Sequence, residues 1–162
     1  MTQVVLDTDF LSSFLKIKRL PLVRDFYQAE DLLIPPAVYR EVSVTRMTAE
    51  LAELPWVRVQ APNADGVRAV CRKSGFEGLG LGETEAIALA LQLEGSVLLI
   101  SDNKARSRAN QIGLDAVAIP AFLIACKETG FLRHEDLASV VHALQERDRY
   151  GFSKAVLDRL LS

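Results

Sequence analysis

Apolar residues in this chain gather in short runs, each closed by a polar break and followed by a stretch of helical period. Val4–Leu6, Leu32–Ile34 and Ser96–Ile100 are apolar at nearly every position, as strands buried on both faces of a parallel sheet are. Phe10, Phe14 and Ile17 then recur at i, i+4 and i+7, predicting a helix from Thr8 or Asp9 to about Lys18. Pro21 opens a second helix to about Tyr27. Pro35–Pro36 ends the second strand and presets a helical first turn, with Val38 and Val42 on one face. Met47–Leu54 reads as helix, and Trp56–Gln60 alternates like an edge strand. Asn63 caps a helix to about Lys73, SGFEGLGLG is a loop, and Gly82–Leu93 is the clearest helix, apolar on most sides. Lys104–Ile112 is helical, and Ala116–Ile119 reads as a last strand ended by Pro120.

Beyond residue 120 the pattern is helical throughout. Pro120–Thr129 ends at Gly130, a C-cap residue. His134–Arg147 carries Leu137, Val140, Val141 and Leu144 on one face, and Phe152–Leu161 starts at the Ser153 cap. The repeated β–α alternation predicts an α/β fold of three layers, α/β/α, around a central mostly parallel sheet. The helices from about 120 to 162 form a C-terminal extension of it. No linker or repeat interrupts the pattern, so residues 1–162 read as a single domain.

Composition narrows the partners more than the fold. A chain of 162 residues with 49% hydrophobic and 25% charged residues is ordinary for a globular protein. Its net charge of −2 carries no nucleic-acid signature, so binding to one would need a local basic patch or a bound cation. Cys71 and Cys126 have no CxxC or Cys/His spacing and read as buried thiols. The chain enters its first strand without a basic leader. No apolar run approaches the roughly 18 residues of a membrane span. A cytoplasmic location without membrane contact is therefore expected.

Chemistry concentrates in four acidic motifs: VVLDTDF with Asp7, PPAVYREV with Glu41, LGETEAIALA with Glu83, and LLISDNKARSRA with Asp102. Asp7 and Asp102 each follow an apolar strand, where open parallel sheets bind ligands. Each could instead cap the helix that follows. Asp9 can take that duty near Asp7 and so frees Asp7 for another role. Crowded carboxylates repel, and either some protonate or a cation is held between them. Oxygen-only ligation suits Mg²⁺ or Mn²⁺, as one ion or two.

Glu41, on the helix after Pro35–Pro36, would by itself read as a surface charge. Glu83 and Glu85 both lie in a first helical turn, where negative charge suits the macrodipole. Glu83 lines up with Ile87 and Ala90 on an inward face, whereas Glu85 lines up with Gln92 on a polar stripe. Glu83 is therefore preferred as the ligand, with Glu85 and Asp9 in support. Ser101 and Asn103 flank Asp102 and could orient a ligand or a water. Lys104, Arg106 and Arg108 form a basic run that could contact a phosphate backbone, with Arg106 the best candidate and Lys104 next. His134 and His142 lie far from any acid. GLGLGE lacks the lysine of a phosphate-binding loop.

Taken together and in this order, the four motifs resemble a PIN domain, in particular the prokaryotic branch that includes VapC-type toxins. The resemblance covers residues 3 to about 130, and the tail ending GFSKAVLDRLL resembles one branch of PIN-like proteins. It implies a metal-dependent ribonuclease that leaves a 3′-hydroxyl and a 5′-phosphate. Asp7 and Asp102 would be direct ligands of Mg²⁺ or Mn²⁺, with Glu41 and Glu83 binding directly or through water. It also implies an antitoxin partner, while the C-terminal helices could equally pack on the core or form a homodimer. Ser101 departs from the pattern, since many relatives have an Asp there.

Two other readings compete. Asp7-Thr8-Asp9 has the DxD form of a haloacid-dehalogenase-like phosphatase, but Phe10-Leu11 is bulky for such a loop and Glu41 and Glu83 gain no role. A non-catalytic PIN-like module that binds RNA or a partner fits the near-neutral charge and Ser101.

Overall fold

The structure, a computed structural model, describes residues 2–162. Its elements alternate from the start: β1 (Val4–Leu6), α1 (Thr8–Lys16), α2 (Leu20–Tyr27), β2 (Leu32–Ile34), α3 (Pro36–Val44), α4 (Thr48–Ala52) and β3 (Val57–Val59). They continue as α5 (Ala64–Arg72), α6 (Leu81–Gln92), β4 (Val97–Leu99), α7 (Asn103–Gln111), β5 (Asp115–Val117), α8 (Ile119–Glu128), α9 (His134–Arg147) and α10 (Lys154–Leu161). The five strands pair in parallel in the order β3-β2-β1-β4-β5. The result is a three-layer α/β/α fold around one parallel sheet.

Two apolar layers follow from the side-chain alternation of the strands. Val4, Leu6, Leu32, Ile34, Val97 and Leu99 face the larger layer, with Phe10, Phe14 and Phe122 at its centre. There α1 and α8 meet through the Phe14 and Phe122 rings, 5.7 Å apart and edge to face. Val5, Leu33, Leu98 and Ile100 face the other layer, against Ala86, Ile87, Ala90, Ala105 and Ala109 of α6 and α7. The small side chains let α6 lie close to the sheet, which explains a helix that is apolar on most sides. The C-terminal helices pack on the larger layer through Leu137, Val140, Val141, Leu144 and Leu160.

Strand order fixes where a ligand can sit. From β1 the chain builds outward to β2 and β3 on one side, and returns to lay β4 and β5 on the other. The crevice beyond the carboxyl ends of β1 and β4 is thus the topological switch point. Asp7 and Asp102 both lie on it.

Two expectations change. The last strand is Asp115–Val117, because Pro120 is the second residue of α8, where it presets a helical turn rather than ending a strand. Cys126 is fully buried, and burial pushes its thiol up to about 12, but Cys71 is exposed on α5.

Candidate metal centre

Register brings the first acid to its neighbours. Leu6 pairs with Leu99, and the Asp7 amide donates to the Leu99 carbonyl at 2.9 Å. The Asp7 side chain then sits beside Ser101. Its Oδ2 accepts from the Ser101 amide at 3.2 Å, and its Oδ1 accepts from the Phe10 amide at 2.9 Å. Asp7 itself is therefore the cap of α1, a duty expected of Thr8 or Asp9. Asp102 does the same for α7, accepting from the Ala105 amide at 2.8 Å. The two strand-end aspartates are structural equivalents.

α6 brings the third acid from the opposite layer. Glu83 folds back so that its Oε1 accepts from the Gly80 amide at 3.0 Å, half of a capping box that glycine cannot complete. The fourth acid comes from α3. Glu41 Oε2 accepts from the Thr8 hydroxyl, and the Glu41 carboxylate lies against Gly82. A β-carbon at Gly82 would stand 2.9 Å from Glu41 Oε2 and 3.1 Å from Thr8 Oγ1. Glycine here leaves room for the Glu41 carboxylate and the Thr8 hydroxyl, which a methyl would displace. The sequence offers Thr8 only as a start of α1 and Gly82 only as a start of α6, and nothing in it marks either as a neighbour of Glu41.

Helix capping explains three of the acids in part, and the electrostatics go further. Asp7 is only 2% exposed, although Asn or Ser would cap α1 as well without the cost of a buried charge. Burial pushes its carboxyl up to about 7, against the opposing Phe10 and Ser101 amides and with reinforcement from the charges of Asp9 and Glu83. Glu83 is also raised, first by burial; the Gly80 amide opposes this, and Asp102, Asp9 and Glu41 add to it. Five carboxylates thus act on one another, Asp9 among them. Among the described residues no Lys, Arg or His pairs with any of the five. The main positive partners are the N-terminal ends of α1, α6 and α7, which meet at this crevice.

The remaining predicted residues fall into two groups. Ser101 stays at the site, its hydroxyl oxygen buried without a hydrogen-bond partner. Asn103 is exposed at the start of α7. Glu85 points away, its Oε1 accepting from the Ala37 amide at 2.9 Å. Lys104 is turned to the glycine-rich loop, donating to the Glu77 carbonyl at 3.2 Å, and Arg108 packs on Gly75 of the same loop. Arg106 faces the other way, within electrostatic reach of the Tyr150 hydroxyl.

Oxygen donors alone, uncompensated negative charge and an orphaned buried hydroxyl suit a hard divalent cation in kind. Arrangement is another matter. Among the described residues no three Asp, Glu, His or Cys side chains converge on one point. The reason is visible, since Glu83 and Asp102 each spend one oxygen on a helix start and Glu41 spends one on Thr8. Their other oxygens, Glu41 Oε1, Glu83 Oε2 and Asp102 Oδ1, accept no hydrogen bond among the described residues.

The model of the family described as the PIN domain matches residues 3–162. The chain belongs to the PIN-domain family. PIN domains are generally nucleases, they typically use divalent metals, and PIN nucleases bind RNA. The match runs through the C-terminal helices α9 and α10. No curated protein matches the chain. No helix of the described residues is long and apolar enough to cross a membrane.

Proposed function

We propose that this PIN domain is a metal-dependent endoribonuclease, and that it serves as the toxin of a toxin–antitoxin pair. The single observation that carries the nuclease reading is a set of five mutually repelling carboxylates at the switch point that, among the described residues, pair with no cationic side chain. Asp7, Glu41, Glu83 and Asp102 would hold one or two ions. A bound Mg²⁺ or Mn²⁺ would supply Lewis acidity at the scissile phosphate. Thr8 holds the Glu41 carboxylate, the Ser101 amide holds Asp7, and Asp9 adds negative charge beside them. Arg106 and Lys104 remain the candidate contacts for an RNA phosphate, Arg106 being the one with no bond to the glycine-rich loop.

The test is cleavage of end-labelled single-stranded RNA with Mg²⁺ or Mn²⁺, against EDTA and a Glu83→Gln variant. Cleavage that needs the ion and is lost in the variant is expected. RNA bound but uncut in either metal would favour the non-catalytic module, which gains from the spread of Glu83 and Asp102 onto their helix starts.

Gly82→Ala offers an independent check. Alanine is favoured over glycine within a helix by about 1 kcal/mol, so the fold should hold or gain slightly. The new methyl must displace Glu41, and cleavage should fall by about tenfold, roughly 1.4 kcal/mol of barrier. Denaturant unfolding and initial cleavage rates measure the two effects separately.

The toxin half rests on a second feature. A hollow of about 280 Å³ between α1, α2 and α4 is lined by Phe14, Leu15, Leu20, Pro21 and Leu54. Glu50 Oε2 is buried there without a partner. Apolar walls with two acids, Glu50 and Glu53, against the single cation of Lys18 suit an antitoxin segment with an apolar face and a basic side chain. A stable complex on co-expression with the product of an adjoining reading frame is the expected result. A chain that stays monomeric or forms a homodimer there would leave only the nuclease.

A further inference from the structure

We propose that Glu85 is a positioning residue that tethers α3 to α6 and so sets Glu41 against Glu83 for the reaction proposed above. The inference rests on that nuclease reading for its effect on cleavage, and on α3 itself for its physical content.

α3 begins in an unusual way. Pro35 is its cap and Pro36 its first residue, so neither supplies an amide hydrogen, and no cap side chain bonds to the helix start. The first amide of the helix is that of Ala37, which is buried. Left alone it would be a buried donor without a partner. Glu85 provides the acceptor from another helix at 2.9 Å, and its negative charge also suits the positive end of α3.

The geometry then repeats one turn further along. Ala37 and Glu41 are four residues apart and share a face of α3. Glu85 and Gly82 are three apart and share a face of α6. The Ala37 amide meets Glu85, and the Glu41 carboxylate meets Gly82. Two contacts a turn apart fix both the distance and the rotation of α3 on α6. Glu83 follows Gly82 directly, so the register that seats Glu41 also decides its distance from Glu83.

Gln92 shows that the polar stripe of α6 serves this purpose generally. Its Oε1 accepts from the Asn63 amide at 2.7 Å, where α5 begins. Glu85 and Gln92, seven residues apart, each anchor the start of a neighbouring helix. Such a duty needs an oxygen acceptor and no charge, whereas binding a cation directly needs the carboxylate.

That difference is the test. The full chain and its Glu85→Gln and Glu85→Ala variants would be compared for amide exchange along α3 and for RNA cleavage across a Mn²⁺ titration. Glu85→Gln should keep α3 protected and cleave within about twofold of the parent. Glu85→Ala should speed exchange at Ala37 by about tenfold or more. It should also lower kcat by about tenfold and raise the half-saturating Mn²⁺ concentration, with KM for RNA little changed. Equal losses in both variants would overturn the proposal and make Glu85 a charged ligand. Unchanged α3 protection in Glu85→Ala would overturn it as well. A parent chain that cuts no RNA would defeat the nuclease reading alone, and the exchange data would still decide whether Glu85 tethers α3.

Discussion

Asp7→Asn should abolish RNA cleavage while making the metal-free protein more stable at alkaline pH. The activity loss is expected to reach about a thousandfold, roughly 4 kcal/mol of lost transition-state stabilisation, because a neutral amide holds a divalent cation far more weakly than a carboxylate does. The stability gain follows from linkage. Burial raises the Asp7 carboxyl from 3.8 to about 7 in the folded protein. A raised folded value means the associated stability is complete below about pH 4 and is lost as pH rises through 7. A rise of roughly three units sets an upper bound of about 4 kcal/mol on that loss.

Asparagine removes the charge and keeps one oxygen for the Phe10 amide. Its amino group then faces the Ser101 amide, and losing that hydrogen bond costs about 1–2 kcal/mol. At pH 8 relief of the buried charge wins, and Asp7→Asn should be more stable by about 2 kcal/mol. At pH 4 little of that penalty has developed, so the lost hydrogen bond wins and the variant should be weaker by about 1 kcal/mol. Urea unfolding in EDTA at both pH values would reveal the crossing. Parallel pH profiles for the two proteins would refute a raised Asp7.

Mn²⁺ should reverse the same penalty in the parent protein. An ion held a hundredfold above its dissociation constant stabilises the folded state by about 2.7 kcal/mol. For a chain of this size that is a rise of roughly 5–10 °C in melting temperature. The rise should grow between pH 5.5 and 8, because the ligands must give up their protons. EDTA should cancel it, and Asp7→Asn should lose most of it. Equal stabilisation of Asp7→Asn would mean the ion binds elsewhere.

The placement of the candidate acids was partly legible in the sequence. A carboxylate directly after an apolar run is visible in one dimension, and both Asp7 and Asp102 were found that way. The assignment of Glu83 over Glu85 came from helical period, which separates an inward face from a polar stripe, and the two residues do diverge in space. What the period could not reveal is that the polar stripe holds neighbouring helices. Nor could it show that Asp7 would both cap α1 and join the acids, a dual duty that made freeing it for one role unnecessary. Lys104, read as a possible RNA contact, donates to a loop whose path depends on glycines with left-handed backbone at Gly75 and Gly78, a bond that no periodicity foretells.

The sequence by itself determined the layers, because buried parallel strands and amphipathic helices must carry their apolar residues at characteristic spacings. It also determined the carboxylates at the strand ends, since a strand's end and its next residue are neighbours along the chain. Only the tertiary structure decided that Thr8 and Gly82 hold Glu41, that Glu85 fastens α3 to α6, and that Cys71 lies open while Cys126 is sealed. Each of these depends on contact between segments far apart in the chain. Such contacts are set by sheet order and by how closely helices approach, and neither leaves a periodic trace in the sequence.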